Sequence, residues 1–219
     1  MPFAALIIAL LSAQADDRPS FDCARASTPV ERAICADPGL ARLDMRMAAR
    51  YAAVRRAMPP GARSVLTTDQ RWFLGARDEW FENRDRWDGF PDLTTRITGR
   101  IAFLDSLDTR VRPGLTGRWV NVAGVAEVED AGDGRLRLSI AAASPVNARW
   151  LCEVSGIGRA SSGVLTVAAE DSPGWRLRVT STGGVLRIEE LAPDGEAGAR
   201  PYCGHNGHVD GNYFRVRPS

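Results

Sequence analysis

Lysine is absent from this chain: all 28 basic residues are arginine, set against 27 acidic ones. An arginine-only set reads as base composition rather than as chemistry. The net charge of +1 excludes the basic footprint of a nucleic-acid binder and an extended polyanionic surface. The balance also holds by half, with 16 Arg against 15 acids up to Val111 and 12 against 12 beyond it. Histidine is nearly absent too. His205 and His208 share one loop, which leaves no separate base for a nucleophilic Ser or Cys elsewhere in the chain. After the amino terminus, no apolar run approaches the roughly 20 residues that a membrane-spanning helix needs. Internal repeats and low-complexity tracts are lacking as well.

Cysteine is scarce, at four residues. Cys23 and Cys35 stand too far apart for a zinc knuckle or a thioredoxin-type pair, which leaves a structural bridge. Four cysteines allow three connectivities, and locality favours Cys23–Cys35 with Cys152–Cys203. In the chain-entropy model such loops contribute about 3 and 4 kcal/mol respectively. The opening "MPFAALIIALLSAQA" makes disulfides admissible: its apolar run from Phe3 to Leu11 precedes Ala13-Gln14-Ala15, a small-x-small cleavage signal. Residues 1–15 read as a signal peptide cleaved after Ala15, giving a periplasmic or secreted protein with no transmembrane segment after cleavage. The amino-terminal region carries no Lys or Arg of its own.

What is present divides near "RVRPGLTG", Arg110 to Gly117. Residues 16–111 alternate helical stripes with helix punctuation. Thr28-Pro29-Val30-Glu31 has the form of a capping box with Pro at N1, which starts a short helix running to about Cys35. Asp37-Pro38 starts a second, whose Leu40, Leu43, Met47, Tyr51, Val54 and Met58 recur at steps of three and four. A third spans roughly Ala62 to Asn83. Asp92 caps a fourth, with Leu93, Ile97, Ile101 and Leu104 on one face. Residues 112–219 carry short alternating runs such as Leu136-Leu138-Ile140 and Leu186-Ile188 between Gly- and Pro-rich turns. The reading is α+β with two segregated domains. A disulfide-stapled bundle of one short and three long helices precedes an antiparallel β-barrel or sandwich of seven to eight strands.

The run "FDCARASTPVERAICADPGLARLDMRMAARYAAV", then "DQRWFLGARDEW" and "RITGRIAFLDSL", resembles the N-terminal domain of the LprI-type lysozyme inhibitor family over Phe21 to about Leu107. Members commonly carry a second cysteine pair where this chain has Trp80 and Trp87, which are expected to close the third-to-fourth helix turn by packing. The second half is more loosely similar to β-domains appended in exported bacterial proteins. The "DGNYF" run departs from the Ser-Gly-x-x-Tyr loop of MliC-type inhibitors, so that loop's role is not carried over. The resemblance implies a periplasmic binding protein that blocks a lysozyme-type muramidase by occluding its cleft. A non-inhibitory envelope-interaction or peptidoglycan-binding module is the alternative, and a cell-wall hydrolase the third.

Candidate partner-binding residues are Trp72, Arg77 and Asp78 on the third helix, and His205, His208 and Tyr213 near the end of the chain. For Arg77 and Asp78 an internal salt bridge to another helix is the favoured reading. His205, His208 and Asp210 carry metal-ligand chemistry, yet Gly204, Gly207 and Gly211 make the segment read as a turn, and no cofactor or metal is expected. Glu127/Glu129 and Glu189/Glu190 are the carboxylate pairs a glycosidase would need. Beside apolar strand residues they read as solvated faces, and no catalytic residue is assigned.

Overall fold

The computed structural model of the protein describes residues 17–87, 89–193 and 200–218; the expected signal peptide, 1–15, lies outside the described residues. The architecture is α+β. Helices α1 (Pro29–Ala36), α2 (Pro38–Ala57), α3 (Pro60–Glu82) and α4 (Leu93–Ser106) precede nine strands. These are β1 (Gly117–Val120), β2 (Gly124–Gly132), β3 (Arg135–Ala143), β4 (Leu151–Gly158), β5 (Ala160–Ser161), β6 (Val164–Ala168), β7 (Arg176–Thr182), β8 (Val185–Leu191) and β9 (Gly211–Arg215).

Capping chemistry sets the helix starts. Thr28 Oγ1 accepts from Glu31 N at 3.2 Å, and Glu31 Oε2 accepts from Thr28 N at 3.0 Å, which satisfies orphan donors at both ends of the box. These backbone donors hold the Glu31 carboxyl below its ordinary value. Asp37 Oδ1 takes the N–H groups of Gly39 and Leu40 at the head of α2, and Asp92 Oδ1 that of Thr95 at the head of α4. α1 is far shorter than the roughly 12–15 residues at which an isolated helix becomes marginal in water. The Cys23–Cys35 disulfide ties the approach to α1 to its own last turn. Val30 and Ile34 then bury its apolar face.

The strands form one antiparallel sheet in the order β4-β3-β2-β1-β9-β8-β7-β6-β5. It curls until β4 meets β6 without a continuous ladder. Gly156 and Gly158 permit this approach, because a Cβ there would lie 2.2 Å from Ala168 O and 2.3 Å from Thr166 O respectively. Glu170 N donates to Ser155 O across the gap. The strand count exceeds the expected seven or eight. β5 is only two residues long, and β2, whose inward residues are Ala126 and Val128, carries too few large apolar side chains to stand out in the sequence. The Cys152–Cys203 disulfide joins β4 to the loop before β9.

Two apolar clusters result. One fills the barrel around Trp119, Leu138, Leu177 and Tyr213, all from the second half. The other fills the helical bundle, but Val146, Val185 and Phe214 of the β-region complete it. Trp80 and Trp87 both pack in this cluster, and the Arg96 guanidinium lies 4.5 Å from the centre of a Trp80 ring. Arg96 also donates to Pro145 O and Val146 O, and Asp69 Oδ2 accepts from Val122 N. Leu107 pairs with Val216 as an isolated bridge. The two halves are therefore segregated in secondary structure but share one packed seam.

Candidate functional site

The seam brings together residues that lie far apart in the sequence. Trp72 projects from α3 and is 38% exposed. Its ring stacks on His208, from the loop between β8 and β9, with centroids 6.1 Å apart and planes inclined by 9°. Trp150, just before β4, contacts the same imidazole at 5.6 Å. The loop can reach this position because it hugs the second disulfide. A Cβ at Gly207 would stand 2.8 Å from Cys152 Sγ and 3.0 Å from Cys203 Cβ, so only glycine fits this close approach.

Beneath the imidazole lies a chain of titratable groups. His208 Nδ1 is 3.1 Å from Asp210 Oδ1, an ion-pair contact rather than a well-aligned hydrogen bond. Asp210 raises the His208 pKa against the opposing effect of burial, and His208 in turn holds the Asp210 carboxyl down at about 2. Glu190, next in the chain of groups, has a side chain 4% exposed. It accepts from Arg200 Nε, Tyr202 Oη and Val209 N. Burial pushes its carboxyl up despite these donors, and burial likewise raises the Tyr202 phenol. The arrangement can hold an imidazolium under a partly exposed aromatic surface, ready to donate a hydrogen bond or to meet an anionic or aromatic group.

The other candidate residues are placed differently. Arg77 is buried; its Nε donates to Asp78 Oδ1 at 2.8 Å and its Nη1 is 4.0 Å from Asp44 of α2. Its charge is therefore used inside the bundle, where Asp44 also accepts from Ser20 N and Oγ. Tyr213 is 1% exposed in β9 and donates to Val209 O, so it belongs to the barrel core and is not presented beside the histidines. His205 is exposed on the turn. Among the described residues no group of three or more His, Cys, Asp or Glu could hold a metal.

Sequence reasoning missed Trp150 and took Glu190 for a solvated residue. The phase of β8 marks Glu190: Leu186, Ile188 and Glu190 occupy alternate positions, so the glutamate shares the inward face of two buried aliphatics. Its neighbour Glu189 faces out and pairs with Arg178 and Arg187. Comparison with family models, with curated proteins and with solved structures finds no match to this chain. What the fold defines is an α+β class, a helical bundle seated on a nearly closed antiparallel barrel.

Proposed function

We propose that the protein is an exported binding protein that takes a protein partner of the lysozyme class against the seam between its halves. The observation that carries this is the Trp72–His208 stack, in which two candidate contact residues from opposite halves form one partly exposed surface. Tryptophan is enriched among residues that dominate binding energy, chiefly when a pocketed aromatic is ringed by contacts that exclude water. The LprI-like run in α1 to α4 supplies the partner class. Two disulfides fit an oxidising compartment, and among the described residues no helix is long and apolar enough to cross a membrane. In this reading Trp72 anchors the partner's rim, and His205 and His208 offer donors to a cleft whose floor carries carboxylates.

A turbidity assay on cell walls tests this with hen-, goose- and invertebrate-type lysozymes. Micromolar protein is expected to protect against at least one type, and Trp72→Ala to weaken that protection about tenfold. Lysis unchanged with all three types removes inhibition. A second reading, the non-inhibitory peptidoglycan-binding module, draws on an open groove of about 740 Å³ on the outer face of β2 to β4, lined by Glu127, Ser139, Glu153, Ser155 and Tyr202. Cosedimentation with purified wall, without protection from lysis, would favour it.

A further inference from the structure

Where the segment between α4 and β1 meets the end of β9, four arginines line a pocket of about 370 Å³. Arg112, Arg118, Arg215 and Arg217 surround it, with Gly117 and Val216 between them. Two of the four have counter-charges: Asp108 Oδ2 pairs with Arg112 at 2.7 Å, and Glu127 pairs with Arg118. The second oxygen of Asp108 is taken by Arg110 at 3.1 Å. Among the described residues neither Arg215 nor Arg217 has a carboxylate within ion-pair distance. Backbone carbonyls hold them instead. Arg215 Nη1 donates to Thr116 O at 2.6 Å and Nη2 to Gly114 O at 2.9 Å, while Arg217 Nε donates to Leu107 O at 3.0 Å.

Backbone anchoring orients Arg215 and Arg217 in this positive cluster, although Arg118 and Arg217 are exposed to solvent. The Arg215 guanidinium lies 4.2 Å from the centre of a Trp119 ring, and Trp119 is itself fully buried. Gly117 makes room for it: with φ at +133°, a Cβ at this position would come 2.9 Å from Arg215 Nη1. Burial lowers the Arg215 pKa and the neighbouring Arg112 charge lowers it further, while the Asp108 carboxylate opposes both. A bound anion would add to the offset that Asp108 supplies. Arg217 anchors through Nε and leaves its two terminal nitrogens as an open fork, the geometry that grips planar or tetrahedral oxyanions in bidentate fashion.

We propose that this pocket is an oxyanion site that takes a phosphate group, free or as a monoester, on the guanidiniums of Arg215 and Arg217, neither of which is in a salt bridge among the described residues. Two guanidiniums outside any salt bridge suit a group that carries about −1.5 to −2 at neutral pH, better than a carboxylate or a halide. The pocket volume falls within the roughly 300–1,000 Å³ of small-ligand sites, so the ester substituent has room. The group can come from a soluble phosphomonoester or from a lipid headgroup. The site is independent of the Trp72 surface, and neither test bears on the other.

Isothermal titration of the full protein at fixed ionic strength decides the matter, with inorganic phosphate, glycerol phosphate and acetate as probes. One saturable site is expected for the phosphates and at least tenfold weaker binding for acetate. Arg217→Gln should weaken phosphate binding about tenfold, while Arg178→Gln, a paired arginine on β7, should leave it unchanged. Arg215→Gln should do the same as Arg217→Gln, but it also releases two carbonyls, so its melting curve is recorded alongside and Arg217→Gln carries the decision. Cosedimentation with vesicles containing phosphatidic acid separates the sources: retention abolished by Arg217→Gln assigns a lipid headgroup, and soluble binding without retention assigns a free monoester. Absence of both, or phosphate binding that Arg217→Gln does not change, overturns the proposal.

Discussion

The two halves bury different things. Among the described residues the helical half encloses Asp44, Asp69, Gln70, Arg77, Arg100 and Asp108, whereas the buried polar residues of the β-half are Ser144 and Ser172 together with the inward carboxylate of Glu190. In the bundle, Arg100 Nη1 lies 2.7 Å from Asp69 Oδ1, its Nε donates to Gln70 Oε1, and Phe73 and Phe103 flank its guanidinium. The barrel relies on inward aliphatics and tryptophans drawn from its own strands and the loops that join them. Sheet geometry hands each strand an apolar face by alternation. Four helices of unequal length leave gaps that polar networks and borrowed residues fill, and Phe214 of β9 is one such loan, packed edge-on against Phe103. The helical half is thus the dependent partner, although it carries the more distinctive sequence.

The most severe way to break this comparison is to separate the halves. Residues 112–219 alone are expected to melt cooperatively with intact near-ultraviolet circular dichroism. Residues 17–111, deprived of Val146, Val185 and Phe214, should remain helical but expanded, bind a hydrophobic dye and lose a sharp melt. A cooperative melt of the helical half by itself would show that the borrowed residues are dispensable.

Next comes the buried ion pair. Burial pushes the Asp69 carboxyl up and the Arg100 guanidinium down, while each partner opposes the shift in the other. Arg100→Leu leaves Asp69 buried without its cation and should cost about 3–5 kcal/mol in denaturant unfolding. Adding Asp69→Asn, which keeps an acceptor for Val122 N, should return at least half of that loss. No recovery in the double variant would place the cost in lost packing instead.

Smaller and more local, Thr28→Ala removes one side of the capping box and should cost about 1 kcal/mol. Hydrogen exchange should quicken in α1 while the strands keep their protection. If the strands also exchanged faster, α1 would be more tightly coupled to the barrel than its contacts suggest.

The smallest effect expected is on the seam itself as pH varies. His208 titrates above its ordinary value of 6.5, so its contribution is complete below that value and fades as pH rises through the folded value. Asp210 titrates at about 2 instead of 3.8, so its contribution is present above 3.8 and is lost as pH falls toward 2. The seam should therefore be tightest between about pH 4 and 6.5. Tryptophan fluorescence should report an alkaline step from Trp72 and Trp150, and His208→Gln should abolish that step. A step that persists in the variant would assign it to another group.

Much of this was legible because it is local. Capping boxes announce themselves within four residues, and Thr28-Pro29-Val30-Glu31 places the start of α1 where it is found. The disulfide pairing followed from separation along the chain, and the strand phases from period-two alternation. The candidate site was legible only in fragments. Trp72 and His208 each stand out in the sequence, but nothing local says that α3 and the loop before β9 meet. That contact depends on how the bundle seats on the barrel, through Phe214, Asp69 and Arg96. Glu190 was readable from the phase of Leu186 and Ile188, but a charged residue beside Glu189 invites the assumption of a solvated pair. Tyr213 alternates with Gly211 and Arg215, a pattern too weak to show which face is inward.

One consequence of the strand order concerns time rather than energy. β1 to β4 form one meander and β5 to β8 another, and β9 is the strand that lies between them. A chain that has emerged only as far as Leu191 holds two separate hairpin stacks, each with a raw edge where the missing strand belongs. The same late segment brings Phe214 to the bundle and Val216 to Leu107. Assembly of barrel, bundle and seam therefore waits on one short stretch delivered after all the others, and until it arrives the exposed edges are templates for pairing with other chains.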